Sequence, residues 1–361
     1  MKHFYELSLF LLFLLLTSCG TESVDNNYIP VEESPVVMDL NAVPYPKLSD
    51  YKFFEGEMKK LQPVYGVLPY DLNSQLFTDY AQKKRFVWMP NGTKATYTAD
   101  NEVLDFPVGT ALIKNFYYDA VVTGGEPDMV ETRIMIKKAN GWIFANYVWN
   151  EDRTEAVLND NNNDRRLVEW VRNGQTEQTY YKIPSAVQCA LCHTLNDKPT
   201  AIGPKPQNLN KSYNYKDGLQ NQLSKWIAYG YLDTAPQSIN STIDWTDTTK
   251  PLELRVRSYL DINCAHCHTT GAYCSYTPMD FAFNKSNIPA NLGLCREPVD
   301  FVSGDQQYIV AKQDAEGSLL YFRMNNNIQS EMMPLIGRTV VHEEAVQMIG
   351  QWINSMNTPC E

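Results

Sequence analysis

The sequence predicts an α+β protein, with a β-rich N-terminal domain followed by a mostly α-helical one. The strands are predicted by alternating or apolar runs at 85–90, 131–138, 142–149, 166–172 and 176–184. These runs adjoin three Asn-Gly steps, Asn91-Gly92, Asn140-Gly141 and Asn173-Gly174, which are strong hairpin signals. The helices are predicted by apolar residues at helical spacing within 219–232, at Leu252, Val256, Tyr259 and Leu260, and at Val346, Ile349 and Ile353.

In chain order, Lys2 and His3 precede an apolar run, Leu7–Leu16, broken only by Ser8. It is shorter than the about 20 residues that span a bilayer and has the length of a signal-peptide core. Leu16-Thr17-Ser18-Cys19 resembles a bacterial lipobox, in which the cysteine is acylated and becomes the new N-terminus. Residues 1–18 therefore read as a lipoprotein signal peptide, Cys19 as the lipidated residue, and the acidic, proline-spotted stretch 19–45 as a flexible tether. The expected location is the cell envelope, lipid-anchored and either facing the periplasm or in the outer membrane. Residues 46–184 form the β-rich domain. Within the segment that follows, Ile183-Pro184 ends the last strand and Ser185 is placed to cap a short helix. Residues 185–248 carry helices, and residues 249–357 form the helical domain, entered through Thr249-Lys250-Pro251. His342-Glu343-Glu344 opens its last helix with acids where the dipole favours them.

A net charge of −11 argues against nucleic acid, which needs clustered lysine and arginine, and against docking on anionic lipid. Such a surface would steer a basic redox partner.

The chemistry lies in the eight cysteines. Cys189-Ala-Leu-Cys192-His193 and Cys264-Ala-His-Cys267-His268 repeat the pattern Cys-x-x-Cys-His. On a helical turn these positions share a face, so two thiols can form thioethers to the vinyl groups of a haem while the histidine reaches the iron from the same side. Zinc ribbons space their cysteine pairs more closely, and thioredoxin-like pairs need no trailing histidine. The motifs thus predict two covalently bound haem c groups, with His193 and His268 as axial ligands. His266 falls off the ligand face and reads as a surface residue. Of the remaining cysteines, Cys274 and Cys295 are the favoured disulfide, closing a loop of about 20 residues worth ~3 kcal/mol, with Cys360 left over or competing for one of them.

The pattern from 249 to 357, an N-terminal helix leading into the second motif, a Met-Pro step and a C-terminal helix, resembles a class I cytochrome c domain. By that resemblance Met333, directly before Pro334, is the distal ligand of the second haem, with Met332 the alternative. A soft thioether favours ferrous iron. For the first haem, Met89, Met129, Met135, Met279, Lys205 and His342 are all open as distal ligands, as is an empty sixth position. Over residues 60–357 the chain also resembles an uncharacterised family of bacterial dihaem c-type cytochromes, often lipoproteins. The stretches that carry this are LPYDLNSQLFTDYAQKKRFVWMP (68–90), YVWNEDRTEA (147–156), QCALCH (188–193), IGPKPQNLN (202–210), RSYLDINCAHCH (257–268) and MMPLIGRTVVHEEAVQMIGQWI (332–353). The resemblance implies a redox role. The expected function is electron transfer with other redox proteins of the envelope, the membrane being reached through the lipid anchor. The alternatives are a peroxidase-like dihaem enzyme with an open site at the first haem, and a β domain that binds an envelope partner or carbohydrate. No phosphate loop, serine elbow or His-Glu-x-x-His stands in the sequence.

Overall fold

The structure is a computed structural model and describes residues 32–119, 125–159, 164–300, 302 and 306–361. Ser34–Glu361 is one compact unit and holds every element described below. The expected signal peptide and Cys19 lie outside the described residues. Among the described residues no helix is long and apolar enough to cross a membrane.

Two short strands, β1 (Phe54–Glu55) and β2 (Gln62–Pro63), pair antiparallel ahead of the main sheet. That sheet is a six-stranded antiparallel meander of β3 (Leu68–Tyr70), β4 (Gln82–Trp88), β5 (Ala111–Tyr118), β6 (Asp128–Lys138), β7 (Gly141–Trp149) and β8 (Ala156–Leu158), each strand beside its sequence neighbour. A separate hairpin follows, β9 (Arg165–Arg172) and β10 (Gln175–Lys182), turning at Asn173-Gly174 with φ of 53° and 78°. Two consecutive positive φ values are what an Asn-Gly turn supplies and match the strand twist. Asn91-Gly92 behaves differently. It turns the chain, but Ala95 then hydrogen-bonds to Tyr231 rather than opening a return strand, so β4 waits until Ala111 for its partner.

Side-chain alternation gives the sheet two faces. One buries Phe86, Trp88, Ile113, Ile134, Ala145 and Tyr147 against the N-terminal segment. That segment starts earlier than the expected tether allows. Val43 is buried, Val36, Met38 and Leu40 pack on the same cluster, and the Val37 amide donates to the Tyr51 carbonyl. Apolar side chains at 36, 38, 40 and 43 make residues 34–45 part of the core rather than a linker.

Beyond the hairpin come α1 (Ala186–Cys192), β11 (Thr194–Leu195), β12 (Lys198–Pro199), α2 (Pro206–Leu209), β13 (Ser212–Tyr215), β14 (Gly218–Asn221) and α3 (Gln222–Tyr229). Ser185 caps α1 as its sequence suggests. Its hydroxyl accepts from the Gln188 amide at 3.4 Å, and the Gln188 side chain accepts from the Ser185 amide at 3.1 Å. The apolar stretch 219–232 is helical only from Gln222, where Asn221 caps the Leu223 and Ser224 amides; the residues before it pair as β14.

The mostly α-helical cytochrome c-like domain is not seen. Among the described residues 26% are in strands and 19% are helical, with six α-helices. Within 249–357 the α-helices are α4 (Leu252–Asn263), α5 (Leu319–Met324) and α6 (Glu343–Asn354). The intervening chain is mostly turns, because Pro278, Pro289, Pro298, Gly271 and Gly293 interrupt it and polar side chains compete for its backbone. Asp280, for example, accepts from the Thr269 and Thr270 hydroxyls and from the Ala282 amide. The terminal helices do pack together. Val256, Tyr259 and Leu260 of α4 share a core with Val346, Ile349 and Ile353 of α6.

The disulfide also differs from expectation. Cys295 bonds Cys360, not Cys274. The C-terminal tail folds back beside Val310, to whose carbonyl the Cys295 amide donates at 2.9 Å, and the Tyr308 hydroxyl donates to the Glu361 carbonyl at 2.6 Å. Cys274 stays buried as a thiol, its amide bonded to the Cys267 carbonyl at 2.9 Å.

Candidate functional site

The first Cys-x-x-Cys-His motif ends α1, with Cys189 and Cys192 one turn apart and His193 as the residue that stops the helix. The chain then makes the two-residue hairpin of β11 and β12, turning at Asn196 and Asp197, both with positive φ. The hairpin returns the Thr200 carbonyl to within 3.0 Å of His193 Nδ1. A carbonyl can only accept, so Nδ1 carries the proton and Nε2 is left with a bare lone pair.

The second motif follows α4 in a continued helical turn, where the His268 amide donates to the Cys264 carbonyl at 2.9 Å. His268 Nδ1 lies 3.2 Å from Thr277 Oγ1, and that hydroxyl donates its own hydrogen to the Cys274 carbonyl at 2.7 Å. The hydroxyl oxygen must therefore accept from Nδ1–H, which again leaves Nε2 free. Burial pushes His193 down to about 3 and His268 down to about 4, so both rings are neutral and able to ligate at neutral pH.

The fold brings the two motifs together. Cys192 Sγ and Cys267 Sγ are 3.7 Å apart. Hydrogen bonding to Cys267 holds the Cys192 thiol below its ordinary range, and the same contact raises Cys267. The ligand atoms of Cys192, His266 and Cys267 all lie within 4.8 Å of one another. His266, read as a surface residue, is thus part of the site. Its rotation off the Cys264–Cys267–His268 face is what turns it toward the other motif. The Asn196 amide donates to the Gly271 carbonyl at 2.8 Å, and a Cβ on Gly271 would meet Asn196 Oδ1 at 2.2 Å, so only glycine lets the two loops approach this closely.

An apolar-lined cavity of about 230 Å³ opens on the second motif. Cys264, Cys267 and His268 form one wall, Met333 and Pro334 contribute to the lining from their loop, and Leu191 and Cys192 reach it from the first motif. Burial pushes the Cys264 thiol up to about 12. The buried Arg338 guanidinium ties down the Met333 loop, donating to the carbonyls of Met333, Val340, Arg323, Met324 and Asn326. Met332, the alternative to Met333, is buried.

The residues left open as the first motif's distal ligand scatter. Met89 and Met135 belong to the core beneath α3, Met129 to the core on the opposite face of the sheet, and Lys205 precedes α2. Met279 and His342 line the second motif's cavity, where His342 stacks on Phe77 at 3.9 Å and its Nδ1 meets the Tyr259 hydroxyl at 3.0 Å.

The arrangement therefore offers four thiols, two imidazoles with free Nε2 lone pairs and a thioether; Cys192, Cys264, Cys267, His268 and Met333 line the apolar cavity, whereas Cys189 and His193 stand outside its lining. Such a set can bond covalently to an unsaturated planar group and ligate a soft or borderline metal. No family model, no curated protein and no solved structure matches the chain.

Proposed function

We propose that the chain is a dihaem c-type electron-transfer protein of the cell envelope. Cys189 and Cys192 would hold one haem and Cys264 and Cys267 the other. His193 and His268 would be the iron ligands, and Met333 the second ligand of the second iron. The observation that carries this reading is the state of the two motif histidines. Each has Nδ1 fixed by an acceptor and Nε2 free, which is what an imidazole that is to ligate a metal through Nε2 would need. The apolar lining of the cavity, with Cys264, Cys267, His268 and Met333 on its walls, supports it for the second motif. When bound, the haem irons supply one-electron redox chemistry. The chain's own part is to fix the imidazoles, exclude water and set the potentials through ligand type and burial. Cys19 would carry the lipid anchor. The test is the intact mass and the pyridine haemochrome spectrum of protein matured in a host that attaches haem c. The expected result is two haem additions and a c-type band; a colourless protein of unmodified mass overturns the reading.

The group Cys192, His266 and Cys267 favours a second reading, a three-ligand site for a metal such as zinc with an open fourth position. It excludes the first, because a thiol carrying a thioether cannot also ligate as a thiolate. Stoichiometric zinc in haem-free protein, abolished by His266→Ala, would support it.

A further inference from the structure

The meander carries a row of cations that the proposed electron-transfer site does not use. Arg85 on β4 is directly opposed to Lys114 on β5, and Lys114 is directly opposed to Arg133 on β6. Directly opposed residues of an antiparallel sheet share a face, and like charges placed so repel. Along the strands the row is bounded by apolar cores at both ends. Val87, Leu112 and Trp142 pack under Trp226 on one side; Phe116 and Tyr118 pack under Val168 and Trp170 on the other.

Compensation is incomplete. Asp71 takes Arg85 Nη1 at 2.8 Å but also serves Lys211 at 3.2 Å, and Glu131 is shared by Arg133 and the Tyr181 hydroxyl. Arg85 has a side chain 2% exposed, and its Nη2 is without a partner, as is Arg133 Nε. The Lys114 ammonium has no anionic partner among the described residues and lies 4.9 Å from the centre of the Phe116 ring. Burial, then the charges of Arg85, Arg133 and Lys83, push its pKa well down. Three basic side chains in register, two of them with buried donors unmet, favour an anionic group placed beside them, although Glu131 Oε2 is unmet as well.

The row also leads to the first motif. Arg133 is directly opposed to Asn146, whose side chain donates to the Pro184 carbonyl at 2.8 Å, just ahead of α1. Phe144, two residues before Asn146 on the same face, lies 5.2 Å from the His193 ring.

We propose that Arg85, Lys114 and Arg133 form a binding site for carboxylate groups beside the Cys189–His193 motif. The carboxylates have two chemical sources: the propionates of a haem held by that motif, which rests on the proposed function, or a free small carboxylate, which does not.

The test uses the full-length matured protein, its Lys114→Gln variant, and Lys84→Gln as control, Lys84 being exposed and on the other face of β4. Removing Lys114's charge relieves repulsion, so the variant should fold; Lys114→Met serves as a second substitution with the same expectation. Calorimetry with acetate and with citrate reads a free ligand. Spectroelectrochemical titration reads a propionate. For a free ligand, wild type and Lys84→Gln bind at least one of the two anions alike, and Lys114→Gln binds it at least tenfold more weakly. For a propionate, none of the proteins binds either anion, and Lys114→Gln lowers the midpoint potential of one haem while Lys84→Gln leaves both unchanged, since losing a nearby cation favours ferric iron. Binding of either anion that Lys114→Gln does not weaken overturns the proposal. So do unchanged potentials with no anion binding, and so does a haem-free protein that binds neither anion. Haem content is read independently from the mass, so failure of the dihaem reading leaves the calorimetric result standing.

Discussion

The two Cys-x-x-Cys-His motifs share a spelling but not a setting. The first stands on α1, a two-turn helix with no fully buried residue, laid beside the sheet; its histidine is oriented by a main-chain carbonyl that a two-residue hairpin delivers. The second ends α4, a helix with seven buried residues, and its histidine is oriented by a threonine hydroxyl from a turn. Main-chain orientation survives side-chain substitution, whereas a hydroxyl can be deleted. The same chemistry is thus held by geometry in one place and by a replaceable group in the other.

The largest expected effect breaks the pair apart. Under the proposed function, Cys189→Ser with Cys192→Ser and Cys264→Ser with Cys267→Ser each halve the haem content by pyridine haemochrome. Only the second pair should also lower thermal stability markedly, because Cys264 packs on the α4–α6 core. Acid comes next. His342 is depressed from 6.5 to about 3 by burial, so the neutral ring's contribution is fully present above about pH 6.5 and is lost as pH falls toward 3. His342→Gln should flatten that slope in urea titrations between pH 6.5 and 4, where wild type loses stability steadily. Arg338→Met removes a guanidinium that donates to five carbonyls, those of Arg323 and Met324 at the end of α5 and of Asn326, Met333 and Val340 beyond it, at an expected cost of about 3 kcal/mol by chemical denaturation, with loss of the methionine ligation signature at one haem only. Gly271→Ala forces a side chain against Asn196 at a φ of +81°, for about 1–3 kcal/mol, and should be the variant that separates Cys192 from Cys267, read as slower haem-to-haem equilibration. Thr277→Val is the smallest, at about 1 kcal/mol, and sharpens the contrast most: it should perturb only the second haem's spectrum.

What was legible in the sequence was what is local. The Ser185 cap, the Asn173-Gly174 turn and the α6 stripe each depend on residues within a few positions of one another, and each formed as expected. The Asn91-Gly92 step shows the limit: its turn is local, but its partner, near Tyr231, is not. The contact between Cys192 and Cys267 spans 75 positions and is set by how α1 and α4 dock, for which spacing has no signal. His266 was misplaced for the same reason, since a helical wheel reports what a helix turns away from but not what stands there. The disulfide went to Cys360 because closing a short loop is a property of the unfolded chain, and the choice of partner was made by folded geometry around Val310. The expected helical domain is absent because apolar spacing marks only its two terminal helices, while the prolines and glycines between them keep the long intervening stretch in turns.

The bond from Cys295 to Cys360 has a consequence for that second region. The covalent ring it closes contains α5, the Met333 loop and α6, while Cys264, Cys267 and His268 lie outside it. Stiffening of the unfolded ensemble thus falls on the half of the cavity that carries the thioether, not on the half that carries the thiols. A mild reductant should accordingly slacken the methionine side first, leaving the histidine side seated.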